Sequence, residues 1–423
     1  MSAREFAVAD VAVDGPTKRR RVRLLVTIVL LGTVISIAFH YAMGYWRQSG
    51  YPYSTFLFLP GDHFNDWDNP YLYAQAFLHG NPAPFVYFPF AFLVVAAATV
   101  LPMRVGFFLL IAVFLAVMVK MLRGWVVDIE DSRLVRLQYG FILVALSYPV
   151  LFALDRTNLE LLIFVFLAGF FYFLYVRDKL WLAALALAAA ISFKLYPATL
   201  LVLLLAERRF KTLLLTIALA IALTIGGSVI LATASGRGVG NVWHMALAEK
   251  SVNQQNMVDA SGGIAHSHTL WGLTRLPLML RDLGPTHWQT STYAFLVAAL
   301  FVLLAWHVVF RESERWKRVA LLVVASILLP YVSGDYTLIQ MYFPLVFFLN
   351  SRRVSRYDVV YTALFAVILI PVDYLYFRHH QIVDVSISAV VYPLALLALM
   401  LLAVLDRSTR EQGAPKLGAL VDR

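Results

Sequence analysis

Apolar runs of about 20 residues recur along nearly the whole chain, and each is long enough to cross the hydrocarbon core of a bilayer. Hydrophobic residues make up 61% of the sequence and charged residues only 14%, whereas about a quarter of the residues in a soluble domain are charged. The sequence therefore predicts an all-α polytopic membrane protein that lies within the lipid bilayer. Because the chain has no cysteine, disulfides and cysteine-ligated zinc sites are excluded.

The Lys and Arg residues predict which loops face the cytoplasm, where these residues are enriched. Lys18 to Arg23 immediately precede the first apolar run, so we expect a cytoplasmic tail over residues 1–23. Because the chain is predicted to lie in the membrane, the net charge of +10 does not indicate nucleic-acid binding, and we expect no nucleic-acid partner. The other predicted cytoplasmic clusters are Lys120 to Arg136, Arg177 to Lys179, Arg208 to Lys211, Arg311 to Arg318, Arg352 to Arg356 and the C-terminal tail, residues 407–423.

This arrangement requires about twelve transmembrane helices in a single domain over residues 24–406, which we place in the cell inner (plasma) membrane. Two extracytoplasmic loops are expected, over residues 47–104 and 234–289. A helix broken between Lys194 and Pro197 explains why two neighbouring spans are short. The expected spans lie near 24–46, 105–122, 138–153, 159–176, 180–194, 196–207, 212–233, 290–310, 319–333, 337–350, 357–373 and 386–405.

The first extracytoplasmic loop is expected to contain short interfacial helices. Asn69 is a favourable N-cap, Pro70 a favourable first helical residue and Gly80 a favourable C′ residue, which predicts a helix over residues 70–79. The apolar run Phe85 to Leu101 has no place in the count of spans. We interpret it as a helix lying in the outer interface of the membrane.

Three carboxylates, Asp62, Asp66 and Asp68, stand within seven residues just before the first of these helices. A carboxylate beside a bilayer is costly unless it is hydrated, paired or used. A solvated loop is one alternative, and Asp68 can also be stabilised by the dipole of the adjacent helix. Asp66 has no evident structural partner in the sequence, so we predict that it is the general base of a reaction. Asp68 is a candidate substrate-binding residue.

A second polar motif, Asp155 to Glu160, opens a predicted span at the same outer face. Arg156 either pairs with Asp155 or Glu160, or it binds a phosphate or carboxylate through its guanidinium group. Glu160 already lies inside the apolar run and needs a partner or a proton. We take Arg156, Asn158 and Glu160 as candidate substrate-binding residues.

Lys194 and Tyr196 interrupt another apolar stretch, also at the predicted outer face. Lysines often reach an interface by snorkelling, but that interface is usually the cytoplasmic one. A bound anion is therefore the simpler interpretation, and both residues are candidates for substrate binding. A polyprenyl phosphate is an anion held at this depth.

Three further substrate-binding candidates lie towards the C-terminus. Asp335 and Tyr336 follow a proline and a glycine and either hydrogen-bond sugar hydroxyls or form an ordinary polar turn. His268 lies in the second extracytoplasmic loop, two residues after another histidine. Because no third ligand is near this pair, hydrogen bonding is more plausible than metal binding.

Together these elements resemble the GT-C class of integral membrane glycosyltransferases, and within it glycosyltransferase family 87, the polyprenyl-phosphate-mannose-dependent mannosyltransferase type. The sequence departs from the pattern at Phe90, where a second proline is expected. The resemblance runs from about residue 62 to 345 and consists of an aspartate before a helix that ends in Gly (Asp66, Tyr73 to Gly80), an aromatic-Pro element (Tyr87 to Pro89), an Asn-containing turn (Arg156 to Glu160) and a Lys-x-x-Pro element (Lys194 to Pro197) before a basic turn (Glu207 to Lys211).

The resemblance implies a GT-C fold, a polyprenyl-phosphate sugar donor, a lipid or glycan acceptor and inverting transfer of a hexose such as mannose outside the cytoplasm. It also implies a first-loop aspartate as general base. No metal and no cofactor is expected, because the phosphate leaves as an anion. Two alternatives stay open: an O-antigen-type polymerase or ligase, which usually depends on Arg- and His-rich outer loops, and a polytopic transporter, which is expected to hold polar groups at mid-membrane.

Overall fold

The computed structural model describes residues 15–57, 61, 63–81, 87–125, 130, 132–259, 263–264, 267–281, 283–351, 353–373, 376–377, 385–407 and 410–411. Within these residues nearly all regular structure is helical, which confirms the predicted all-α class. The α-helices are α1 (Gly15–Tyr41), α2 (Asn65–Leu78), α3 (Pro89–Ala98), α4 (Met103–Trp125), α5 (Arg133–Ala145), α6 (Tyr148–Arg156), α7 (Glu160–Tyr175), α8 (Leu180–Phe193), α9 (Leu201–Ala206), α10 (Phe210–Ala234), α11 (Val239–Asn253), α12 (Leu270–Met279), α13 (His287–Phe310), α14 (Arg315–Leu328), α15 (Tyr342–Leu349), α16 (Asp358–Leu369) and α17 (Ser388–Leu405).

Shorter elements complete the fold. Segments of 3₁₀ helix cover Tyr196–Leu200 and Asp335–Met341, and π-helical turns cover Ala42–Trp46 and Gln254–Asp259. The strands are two residues long: β1 (Arg353–Val354), β2 (Tyr376–Phe377), β3 (Val385–Ser386) and β4 (Arg410–Glu411). Strand β1 pairs antiparallel with β4, and β2 pairs antiparallel with β3.

Five helices in the described part of the chain are long and apolar enough to cross a membrane: α1 with its π-helical turn, α4, α10, α13 and α17. The pair α5 and α6 makes a sixth if it is counted as one span bent by 54°. Helices also occupy the other predicted spans, but most of these are apolar helices of only 10–17 residues. The polytopic architecture is therefore confirmed, whereas the number of twelve crossings stays a prediction.

Ion pairs bring predicted cytoplasmic segments together at one end of the helix bundle. Arg21, near the start of α1, contacts Asp358 at the start of α16, with 2.6 Å between Nη2 and Oδ2. Arg23 contacts Glu130, in the connection between α4 and α5, with 3.0 Å between Nε and Oε1. Helix α4 thus ends at the level where α1 begins, as expected if Phe85 to Leu101 does not cross the membrane. Because α1 is continuous from Gly15, residues 15–23 of the predicted N-terminal tail and the first span belong to one helix.

The clusters that contain Arg315 and Arg353 lie at the same end. The Arg353 carbonyl accepts a hydrogen bond from Arg21 (3.0 Å), and its guanidinium donates to Ser313 (3.1 Å). Glu207, between α9 and α10, lies 3.9 Å from Nε of Arg315 at the start of α14. We call this region the basic end; it is defined by Arg21, Arg23, Glu130, Glu207, Arg315, Lys317, Arg353, Asp358 and Asp406.

Helix α8 starts near the basic end and stops beside the middle of α10. The Ser192 hydroxyl, one residue before the end of α8, donates to the Ala220 carbonyl of α10 (3.2 Å). From Ala220, α10 continues to Ala234, a further rise of about 21 Å at 1.5 Å per residue. The predicted break is present, since α8 ends at Phe193 and 3₁₀ helix begins at Tyr196. Side chains at this break are therefore recessed well below the far end of α10.

Helix α3 reaches down to the same level. A Cβ atom at Gly227 of α10 would lie 2.9 Å from Cα of Phe90, so only glycine permits this approach. The Phe90 ring also packs edge-on against Phe193 at the end of α8, with 5.6 Å between centroids. At ten residues, α3 is too short to cross a bilayer, as expected. Its N-terminus packs against α10 and the end of α8, and its location in the outer interface stays a prediction.

Helix α2 begins five residues earlier than the sequence predicted. It starts at Asn65 rather than after an Asn69 N-cap, and it contains Asp66 and Asp68 in its first turn. The reason is a tertiary contact: Phe64 adopts a left-handed conformation (φ +65°), and its N–H donates to the Asp155 carbonyl (2.9 Å). The predicted C-terminus is confirmed, since His79 is the C-cap and Gly80 follows with φ +80°.

Candidate active site

The connection between α6 and α7 is built as a sharp turn. Thr157 adopts a left-handed conformation (φ +49°), and its hydroxyl donates to the Leu154 carbonyl (2.8 Å). The Asn158 side-chain oxygen then accepts the Glu160 N–H (2.9 Å), which satisfies one of the unpaired donors at the start of α7. Local polar contacts therefore fix the directions of Arg156, Asn158 and Glu160.

Aromatic packing holds α7 in place behind this turn. The Phe164 ring stacks on Phe343 of α15 with 4.8 Å between centroids, and the Phe171 ring lies 5.0 Å from the same ring. Such pairs contribute about 0.5–1.5 kcal/mol each beyond their area burial. Glu160, the first residue of α7, is thereby placed on a rigid element.

Asp66 receives two side-chain hydrogen bonds from the turn. Arg156 Nη2 donates to one carboxylate oxygen (2.5 Å) and Asn158 Nδ2 donates to the other (2.7 Å). The expectation that Asp66 has no structural partner is therefore wrong. The expectation that Arg156 pairs with Asp155 or Glu160 is corrected too, because its ion-pair partner is Asp66. The Asp66 side chain keeps 19% of its exposure, so the oriented carboxylate remains accessible.

Glu160 is fully buried and is satisfied by three side chains. Lys194 Nζ donates to one carboxylate oxygen (2.8 Å), while the Tyr196 hydroxyl and Gln340 Nε2 (3.3 Å) donate to the other. The sequence predicted that Glu160 needs a partner and that Lys194 binds an anion. In the structure these two residues form an ion pair with each other. The Asn158 side-chain oxygen lies 3.5 Å from Lys194 Nζ, so this network is continuous with the Asp66 contacts.

Two tyrosine rings flank the Lys194 ammonium. Its Nζ atom lies 5.0 Å from the Tyr336 ring centroid and 6.0 Å from that of Tyr87, within the range of a cation–π contact. In the part of the chain that the structure describes, neither hydroxyl has a hydrogen-bond partner. Burial raises the pKa of the Tyr87 hydroxyl, which keeps it a neutral donor. Lys194 itself is 25% exposed.

Asp68 lies two residues further along the first turn of α2 and is held differently from Asp66. Among the described residues its carboxylate has neither a hydrogen-bond donor nor an ion-pair partner. Partial burial raises the pKa of Asp68. It stays a substrate-binding candidate. The third carboxylate, Asp62, lies outside the described residues.

Asp335 and His268 form a separate buried cluster. The His268 ring contacts one Asp335 oxygen through Nε2, and the Tyr148 hydroxyl donates to the other (2.5 Å). His268 and Asp335 are 0% and 1% exposed, respectively, and the His268 ring packs edge-on against Tyr392. A direct substrate contact, as predicted for these two residues, requires the cluster to open. The neighbouring histidine, at position 266, lies outside the described residues.

Three residues of these networks, Tyr87, Gln340 and Tyr148, were missed as candidates by the sequence reasoning. Tyr87 belongs to the aromatic-Pro element, which was a usable signal. Gln340 and Tyr148 lie in apolar surroundings without a recognisable motif, so only the fold identifies them. No group of three or more His, Asp or Glu side chains able to hold a metal ion occurs within the described ranges.

Comparison with known families gives the class of protein. The model of glycosyltransferase family 87 matches residues 85–333. The chain belongs to glycosyltransferase family 87. It is therefore a membrane glycosyltransferase that uses a sugar donor and an acceptor, which confirms the resemblance. No curated protein and no solved structure matches the chain. The family match includes Lys194 and the turn that holds Glu160, whereas Asp66 precedes it and Asp335 follows it.

Proposed function

We propose that this family 87 enzyme transfers a hexose such as mannose from a polyprenyl-phosphate donor to a hydroxyl group of a lipid or glycan acceptor, with inversion. A bond forms between the acceptor oxygen and the anomeric carbon while the bond from that carbon to the phosphate oxygen breaks. The acceptor proton passes to Asp66. The observation that carries this proposal is an accessible carboxylate held beside a partly exposed lysine in one recessed network.

Asp66 suits the role of general base because both of its oxygens are oriented. The donors on Arg156 and Asn158 fix the plane of the carboxylate (2.5 and 2.7 Å), and each oxygen keeps a second lone pair for a substrate proton. A positioned base contributes roughly 100- to 10,000-fold to a rate. Asp68 is the alternative base, since its carboxylate is partly buried two residues away.

Lys194 is the proposed ligand of the donor phosphate. Two of its three N–H groups point to Glu160 and Asn158 (2.8 and 3.5 Å), which leaves one for a substrate oxygen. The Tyr87 and Tyr336 rings flank the same ammonium, and their hydroxyls are the proposed neutral donors for the other phosphate oxygens. Glu160 and Tyr196 act by holding Lys194 rather than by contacting the donor.

The depth of this network supports a lipid-borne donor. The network lies about 20 Å below the far end of α10, since α8 ends beside Ala220. A phosphate carried on a polyprenyl chain is delivered at such a depth, whereas a water-soluble sugar nucleotide is not. Measured along α10 from Phe210, the network lies about 15 Å from the basic end, which the enrichment of Lys and Arg assigns to the cytoplasm. We propose that it opens in the other direction, to the extracytoplasmic side of the inner membrane, in a GT-C fold with about twelve spans.

The test is transfer by the purified full-length protein. Polyprenyl-phosphate mannose and polyprenyl-phosphate glucose are each incubated with the enzyme and a membrane lipid extract, and products are identified by a mass increase of one hexose. Asp66→Asn is expected to lower the initial rate by roughly 100- to 10,000-fold. The matched control is Asp178→Asn, which removes an exposed carboxylate near the basic end. Full activity of Asp66→Asn, or transport of the donor without transfer, would contradict the proposal.

A further inference from the structure

We infer that Asp155 is a positioning residue that sets the location of Asp66, an inference that rests on the proposed role of Asp66. The starting point is the chain corner before α2. Phe64 adopts a left-handed conformation there (φ +65°), which is uncommon for a bulky residue and costs of order 1–3 kcal/mol. Among the residues that the structure describes, no side-chain hydrogen bond caps the helix at its N-cap, Phe64. Something outside α2 must therefore hold its first turn.

Asp155 holds this corner through both its backbone and its side chain. Its carbonyl accepts the Phe64 N–H (2.9 Å), and its carboxylate lies 2.5 Å from Nδ1 of His63. The Asp155 side chain is only 7% exposed, whereas His63 is 36% exposed. The Phe64 ring is in turn packed edge-on against Phe107 of α4 (4.7 Å between centroids). The corner is thus fixed to the end of α6 and to α4.

The next residue along the chain, Arg156, contacts Asp66 directly (2.5 Å). Two consecutive residues of α6 therefore hold the two sides of one short segment: Asp155 fixes residues 63 and 64, and Arg156 fixes Asp66. Loss of the Asp155 contacts releases the corner and lets the first turn of α2 move relative to the donor site. A displacement of about 1 Å at a reacting group costs on the order of 100-fold in rate.

The experiment measures position and rate separately. Asp155→Asn keeps the backbone carbonyl and the side-chain size but removes the charge facing His63. We expect kcat to fall roughly 10- to 100-fold while the donor Kd stays within about twofold. A spin label on Asn69→Cys, an exposed residue of α2 in a chain without cysteine, should become more mobile. A label on Val100→Cys, which is 85% exposed beyond α3, should not.

Two further variants keep the inference falsifiable. His63→Gln removes the imidazole ring that contacts Asp155 and should reproduce both effects, and the reciprocal swap His63→Asp with Asp155→His should restore kcat and label mobility. Unchanged kcat and unchanged mobility in Asp155→Asn and in His63→Gln would overturn the positioning role. If Asp66→Asn is fully active, the proposed base is wrong, but the mobility of the label still decides whether Asp155 holds α2.

Discussion

Removing Lys194 is expected to destabilise the protein more than removing the charge of its partner, Glu160. The two charges are 2.8 Å apart, with Lys194 25% and Glu160 0% exposed. At an effective dielectric constant near 20, a separation of 2.8 Å corresponds to about 6 kcal/mol of attraction, which the desolvation of both groups largely offsets. Lys194→Met leaves a buried carboxylate without its cation and should cost about 3–5 kcal/mol.

Glu160→Gln is expected to cost less, about 1–3 kcal/mol. The amide oxygen can still accept from Tyr196 and Gln340, and Lys194, being partly exposed, can reach water. The double variant carries neither charge, so it should be more stable than Lys194→Met alone, with a coupling energy of about 2–3 kcal/mol. The free energy of unfolding, from titration of detergent micelles with SDS, gives all four values. If Lys194→Met is no less stable than Glu160→Gln, the ion pair does not have the buried geometry described here.

The same variants isolate the phosphate contact of Lys194. A single substitution of Lys194 also disturbs Glu160, so its effect on donor affinity is ambiguous. Glu160→Gln and the double variant Glu160→Gln/Lys194→Met both lack the buried charge and differ only at residue 194. A lost charge-assisted contact of about 1.5–3 kcal/mol should raise the donor Kd roughly 10- to 150-fold between these two proteins. Equal donor Kd values would make Lys194 purely structural.

Three further outcomes are expected. Asp68→Asn should retain most of the transfer rate, because no side chain among the described residues orients its carboxylate; a loss as large as that of Asp66→Asn would move the base to Asp68. Gly124→Cys, close to the basic end of α4, should resist an impermeant thiol reagent in intact cells, and its labelling would reverse the proposed topology. His268→Ala removes the ring that contacts one buried oxygen of Asp335 and should cost about 1–3 kcal/mol of stability, whereas a wild-type melting temperature would show that the pair is not structural.

The helical architecture was predictable because its signals are local. Apolar run length marks helices regardless of tertiary context, and the basic clusters that the sequence assigned to one face do meet, as Arg21 with Asp358 and Arg23 with Glu130 demonstrate. The start of α2 was not predictable in this way. Its local signal at Asn69 was outweighed by the hydrogen bond from Phe64 to Asp155, a residue distant in sequence. The depth of the network within the helix bundle was not predictable from the sequence either, because the approach of α3 to Gly227 depends on tertiary packing.

The candidate residues were predictable from their chemistry, but their partners were not. A charged residue in an apolar run indicates that a counterion is needed, which is why Glu160 and Lys194 were chosen as candidates. Sequence proximity then favoured Asp155 or Glu160 as the partner of Arg156, whereas the structure pairs it with Asp66, 90 residues away. Pairing across such a separation is set by how the helices cross, and one sequence does not contain that information.

The pairing also explains how one site can manage the charge of the proposed reaction. Asp66 with Arg156, and Glu160 with Lys194, form two balanced pairs before any substrate binds. A polyprenyl-phosphate sugar adds one negative charge as a phosphodiester. During transfer Asp66 gains the acceptor proton and becomes neutral, while the leaving phosphate gains a second negative charge. The total charge of the site therefore stays constant, and one negative charge moves from the Arg156 side of the network to the Lys194 side. Asn158 contacts both sides, since its amide donates to Asp66 and its oxygen faces Lys194. One side chain therefore connects the two places between which the negative charge moves.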